Sequence, residues 1–140
     1  MRIDAIQNGI VIDHISAGRG MEIYELLGLK KLDVPVAMIM NVVSKRLGKK
    51  DIIKIDADIP VNLDAIGYVD PRATVNYIRN GELVKKVNIE LPKMLTNVIR
   101  CKNPRCITST ERELDQVFRL TDPANKVYRC LYCEAQAGRQ

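Results

Sequence analysis
The chain has 140 residues, 46% of them hydrophobic, which suits one ordinary domain or two small ones and supplies enough apolar material for a real core. Trp is absent and Phe118 is the only Phe, so that core has to be aliphatic, with Met as filler. The net charge of +5 admits an anionic partner, but it is spread as +2 over residues 1–95 and +3 over residues 96–140, too evenly for a dedicated nucleic-acid face.

In chain order, Arg2–Ile6 and Ile10–Ile15 read as extended segments separated by Gly9, and residues 16–20 as a loop. Met21–Leu27 carries Met21, Tyr24 and Leu27 at helical spacing and predicts a short helix stopped by Gly28. Val34–Val43 is apolar and β-branched, which predicts a buried strand; with Pro35 and Asn41 inside it, the run is too short to span a bilayer. Residues 44–50 read as a solvated turn or hairpin connection, Asp51–Ala57 as a strand alternating Ile with charge, and Pro60–Tyr68 as a helix with Leu63 and Ile66 inward. Thr74–Arg79, Asn80-Gly81 and Glu82–Ile89 form the clearest local signal: Asn-Gly between alternating runs predicts a hairpin with positive φ at the turn. The fold class is therefore α+β, a largely antiparallel sheet with two helices on one face. Leu91-Pro92-Lys93 breaks the last ladder, giving one domain over residues 1–92 and a small all-β domain over residues 96–140.

That second domain holds every cysteine, Cys101, Cys106, Cys130 and Cys133, spaced C-x4-C and C-x2-C. Each close pair fits one tight turn, and two such turns can place four sulfurs tetrahedrally about a zinc ion, one structural Zn²⁺ per chain with no position left for water. So short a segment cannot bury enough surface by itself, so the metal becomes part of its folding. No leader pattern is visible, and a reducing, cytoplasmic setting is expected, where such cysteines are metal ligands rather than disulfides. A thiol oxidoreductase role for Cys130-Leu131-Tyr132-Cys133 lacks the βαβ context it needs. A zinc-ribbon nucleic-acid binder is the other reading; Tyr128 and Tyr132 beside the second turn would be its stacking aromatics. Between the cysteine pairs, Glu111–Thr121 reads as extended, with Leu114, Val117, Phe118 and Leu120 as its few core residues.

In the first domain no phosphate loop, dinucleotide fingerprint or nucleophile–base set occurs, which argues against catalysis. The only histidine, His14, follows Asp13 at a strand end; Lys54 and Lys86 sit in strands beside apolar residues, and Asn76 lies mid-strand, where Asn is unfavoured. By residue type alone these side chains do not define a site.

Four stretches in order, Val11-Ile12-Asp13-His14-Ile15, residues 48–55 (Gly-Lys-Lys-Asp-Ile-Ile-Lys-Ile), Ala73-Thr74-Val75-Asn76 and the cysteine tail, match one family over nearly the whole chain. The sequence resembles the regulatory chain of aspartate carbamoyltransferase, a non-catalytic allosteric subunit of pyrimidine biosynthesis. The resemblance implies that the first domain binds nucleoside triphosphates such as CTP, ATP or UTP. It puts Asp13 and His14 at the sugar and phosphate side, Lys54 at ribose and base, and Lys86 at the triphosphate. Asn76 and Ile78 would line the pocket, and Ile6 and Val11 would frame the base. It further implies a zinc domain that grips a separate catalytic chain, a regulatory dimer made through the nucleotide domain, and neither nucleic acid nor membrane as partner. Gly81 departs from the best-known members, which carry a bulkier residue in this turn, and so bears on base selectivity.

Overall fold
Within residues 5–138, which the computed structural model describes, the alternating segments of the N-terminal part do become strands. They are β1 (Gly9–Ser16), β2 (Val36–Ser44), β3 (Gly48–Ile55), β4 (Thr74–Arg79) and β5 (Glu82–Asn88), with α1 (Gly20–Leu26) after β1 and α2 (Leu63–Val69) after β3. Residues 2–4 of the predicted segment Arg2–Ile6 lie outside the described residues, and Ala5 and Ile6 carry no regular structure. Helix α1 stops where Gly28 turns left-handed at φ 65°, a conformation that glycine adopts with no Cβ penalty. Helix α2 begins three residues later than Pro60 because the Asn62 side chain accepts hydrogen bonds from the Asp64 and Ala65 N–H groups and caps it there. The Asn80-Gly81 turn has φ values of 52° and 76°, the mirror-image turn whose twist suits a hairpin.

The strand order is β2-β3-β1-β4-β5, and every neighbouring pair is antiparallel. Each helix lies in a crossover that skips one strand, α1 over β3 and α2 over β1, so two split β-α-β units interlock. Because strands alternate their side chains, the register sorts the sheet into two faces. Ile10, Ile12, Ile53, Ile55 and Val75 share the buried face and are at most 1% exposed, and Ile23 of α1 and Ile66 of α2 complete that core at 0%. The other face carries the polar and charged positions.

Two bulges bend this sheet at one level. Opposite β3, strand β1 spends an extra residue between Ile12 and Ile15, and β2 another between Ile39 and Val42. Their left-handed residues are His14 (φ 58°) and Asn41 (φ 61°). The expectation of a buried strand over Val34–Val43 is corrected here: β2 is an edge strand, with Met40 56% and Val43 84% exposed. Its apolar run mimics a central strand, but the α1 crossover carries the chain past β3 to the margin. The predicted turn over residues 44–50 also shortens, since β3 starts at Gly48.

The chain separates into two compact units, Met1–Glu90 and Leu91–Gln140. In the second, β6 (Met94–Thr96), β7 (Val117–Asp122) and β8 (Val127–Cys130) form an antiparallel sheet in that order, and α3 (Ile107–Thr110) is a single helical turn. The extended segment expected over Glu111–Thr121 is therefore strand only from Val117. Its core also differs. Phe118 is 1% exposed as expected, but Leu114, Val117 and Leu120 are only half-buried, while Leu95 (0%) and Tyr128 (1%) take the interior. Leu95 is drawn in by its pairing with Phe118 across β6 and β7. Among the described residues no helix is long and apolar enough to cross a membrane.

Candidate functional site
The cysteine cluster is built from two turns and a strand end. Asn103 starts the first turn: its carbonyl accepts from the Cys106 N–H at 3.0 Å and from the Ser109 hydroxyl at 2.8 Å, and its side chain accepts from the Arg105 N–H. Cys130 ends β8, where its carbonyl accepts from the Glu134 N–H and its own N–H donates to Ala135. The result brings the four ligand atoms of Cys101, Cys106, Cys130 and Cys133 within 4.8 Å of one another. Cys101 and Cys133 sulfurs are 3.6 Å apart, and those of Cys106 and Cys130 3.7 Å. A tetrahedron with metal–sulfur bonds of about 2.3 Å has edges of about 3.8 Å, so these residues fit one metal ion.

Their electrostatics agree. Burial pushes the Cys101 thiol up to about 12 and also raises Cys130. Cys133 is instead held at about 6 by a hydrogen bond from the Asn103 side chain and by the Ala135 N–H. Left to protons the site is divided; a divalent cation at its centre would ionise all four sulfurs. The Cys101 N–H is fixed by the Gln116 side chain at 2.8 Å, and the Cys106 sulfur lies 3.2 Å from the buried Thr108 hydroxyl, so the surrounding shell is also ordered.

On the first unit, the register brings several predicted residues into one row of the polar face. Val11 of β1 pairs with Lys54 of β3 on one side and Asn76 of β4 on the other, and Asn76 pairs with Lys86 of β5. Ile78 lies two residues beyond Asn76 on the same face, paired with Gly9. Beside Lys54 is a cleft of about 310 Å³ walled by Ala5, Ile6, Pro35, Val36, Ala37 and Asp56. Ile6 and Lys54 thus meet in one cavity.

Asp13 and His14 sit in the β1 bulge, which is what lets two consecutive residues both make polar contacts at this level. The Asp13 carboxylate pairs with Lys50 Nζ at 3.0 Å, and His14 Nδ1 lies 3.0 Å from the Thr74 hydroxyl. Thr74 is only 3% exposed, so this pair closes the bulge and does not present a nucleophile. Lys50, expected in the solvated turn, lies in β3 and meets Asp13 there.

Two further acids escaped sequence reading. Asp51 is 0% exposed and accepts from the Gly18, Gly20 and Asn41 N–H groups at 3.0–3.1 Å. Asp70, 5% exposed, accepts from the Ser16 and Arg72 N–H groups. They anchor the loops at the end of β1 and explain how buried carboxylates are tolerated. The signal for Asp51 was its parity: it shares the inward alternation of Ile53 and Ile55. Tyr128, considered as a stacking aromatic, is buried and donates its hydroxyl to the Pro92 carbonyl, which removes it from any nucleic-acid surface.

Comparison with known proteins gives a consistent result. Residues 1–90 match the family described as aspartate carbamoyltransferase regulatory chain, allosteric domain, and residues 93–140 the corresponding metal binding domain. The chain is 49% identical over 134 residues to an aspartate carbamoyltransferase regulatory chain of Clostridium botulinum, covering 96% of this chain and 92% of that one. Similar chains of the same name occur in Clostridium tetani (48% over 135 residues, 96% and 94% covered) and Bifidobacterium longum (43% over 137 residues, 98% and 99% covered).

Proposed function
The chain belongs to the family of aspartate carbamoyltransferase regulatory chains, and from that premise we propose that the polar face of its N-terminal sheet binds a nucleoside triphosphate. As a regulatory chain it is non-catalytic, and the catalytic chain of aspartate carbamoyltransferase is its partner. The observation that carries the nucleotide reading is the row Lys54, Val11, Asn76, Lys86. With strands about 4.8 Å apart, its two lysines are rooted roughly 14 Å from each other, a span for a ligand with a base at one end and a phosphate chain at the other.

Lys54 and the apolar wall of its cleft take ribose and base, with Ile6 and Val11 framing the ring. Lys86 neutralises the triphosphate, Asn76 and Ile78 line the floor between, and Asp13 and His14 stand at the sugar and phosphate side. Cations matter here because phosphate oxygens pair best with charged donors. CTP, ATP and UTP are the candidate effectors. An effector shifts the assembly only if it binds two quaternary states with different affinity.

The metal held by Cys101, Cys106, Cys130 and Cys133 is zinc. Four thiolates in tetrahedral array suit zinc or an iron–sulfur centre, and a closed set of four protein ligands gives it a structural role, cross-linking two turns of a small unit. That unit grips the catalytic chain, while the first unit pairs with a second copy through edge-strand or sheet contacts. The setting is cytoplasmic, since cysteines gathered as metal ligands suit a reducing compartment.

The test has three parts: elemental analysis for one zinc per chain, calorimetric titration with CTP, ATP and UTP, and aspartate saturation after mixing with catalytic chains. Nucleotide-dependent displacement of the saturation curve is the expected result. A chain that joins catalytic chains but binds no nucleoside triphosphate contradicts the nucleotide reading and leaves the family assignment standing.

A further inference from the structure
We infer that Asn8, Asn80 and Gly81 form a clasp that positions the wall of the Lys54 cleft and so governs affinity for the base end of the ligand; this rests on the nucleotide reading above. Residues 5–8 belong to no strand or helix, yet Ala5 and Ile6 wall the cleft. A segment outside any ladder must find other partners for its backbone. Here they come from the β4–β5 turn. The Gly81 N–H donates to the Gln7 carbonyl at 2.9 Å, and the Asn80 N–H donates to Asn8 Oδ1 at 3.1 Å. In a two-residue turn with positive φ at both positions, these tip N–H groups point away from the hairpin and ordinarily meet water. In this chain both are spent on one segment.

Glycine makes the approach possible at each end. A Cβ on Gly81 would lie 3.0 Å from Gln7 Oε1, so the turn is already in close contact with the segment. At the other end a Cβ on Gly9 would lie 2.1 Å from the Ile55 carbonyl oxygen, so the backbone there is pressed onto β3. Ile6 lies just before Gln7, at the outer end of this held stretch, its Cγ2 3.0 Å from the Gly9 Cβ position. When the clasp opens, the base-side wall is free at its far end, whereas Lys86 remains in the β4–β5 ladder. Apparent affinity for a base then falls with the closed fraction, and affinity for a bare phosphate chain does not. Asn8, Asn80 and Gly81 are positioning residues, since they act through Ile6.

The experiment uses the full, metal-loaded chain and calorimetric titration with CTP, ATP and inorganic tripolyphosphate. Asn8→Ala is expected to weaken both nucleotides roughly five-fold, the weight of one net hydrogen bond, with tripolyphosphate unchanged. Asn8→Asp keeps an acceptor for the Asn80 N–H and restores the ratio of nucleotide to tripolyphosphate affinity. Amide exchange at Gly81 accelerates in Asn8→Ala without any ligand. Equal weakening of all three ligands, an unaltered ratio, or unaltered exchange at Gly81 overturns the clasp alone. A wild-type chain that binds none of the three overturns the nucleotide reading and the clasp with it.

Discussion

Asp51→Asn is nearly isosteric and tests the interior of the first unit directly. In the native structure Oδ2 accepts from Gly18 at 3.1 Å and Gly20 at 3.0 Å, and Oδ1 from Asn41 at 3.1 Å. An asparagine has a single acceptor oxygen, so one side must present an amide NH₂ to a backbone N–H. The cheaper orientation keeps Gly18 and Gly20 and loses Asn41. That costs about 1 kcal/mol for the lost bond, plus about 1 kcal/mol for each of two bonds that fall from charged to neutral strength. A loss of about 3 kcal/mol is a large share of a total of about 5–15 kcal/mol. With a slope of about 1–2 kcal/mol per molar urea, the midpoint should drop by roughly 2 M. Urea unfolding followed at the Ile12 and Ile53 amides isolates this unit from the C-terminal one. A midpoint within about 0.3 M of wild type would refute the account of Asp51 as the acceptor that holds the β1–α1 loop and the β2 bulge.

Chelating the metal should unfold residues 91–140 and release the catalytic chain while the first unit keeps its amide protection, because metal binding of about 10 kcal/mol or more is the main stabiliser of such a unit; continued protection of Phe118 and Tyr128 would contradict this. Metal affinity should fall as pH drops from 8 towards 6. Burial raises Cys101 and Cys130, so those thiols hold protons that the metal must displace, and competition with a chromophoric chelator measures the slope. Acid below about 6 should then protonate Cys133 as well, since its lowered value favours the ionised form only above that pH. Gly9→Ala places a Cβ 2.1 Å from a backbone oxygen that cannot swing aside. It should cost about 1–3 kcal/mol, and the β1–β3 amides in hydrogen exchange would report the loss.

What could be read from the sequence was governed by local backbone rules. Asn80-Gly81 demanded positive φ at two successive residues, and Gly28 demanded it after an amphipathic turn, so the hairpin and the end of α1 followed from residue type. The cysteine cluster was legible for a similar reason, since each close pair needs only one turn to bring two sulfurs together. Asn76 was visible as an unusual residue in a strand and the lysines as ordinary solvent-facing ones, but not as a row. Their alignment depends on which strands are neighbours, and no local pattern encodes that.

The β2 error shows why. Val34–Val43 has the composition of a central strand, and composition reports only that a strand fits an apolar surface. Whether it lies at the centre or the margin is decided by the α1 crossover, which carries the chain past the place β3 will occupy. The same long-range pairing decides how Asp13 and His14 are used. An alternating strand would have sent them to opposite faces, but the extra residue opposite β3 gives Asp13 to Lys50 and His14 to Thr74. Just past that bulge Ile15 pairs with Asp51, whose carboxylate ties the loop after β1 to the bulge in β2. An acid on the inward parity of an isoleucine strand was therefore the one sequence signal of this arrangement. It carries weight because a buried carboxylate survives only where backbone N–H groups converge on it.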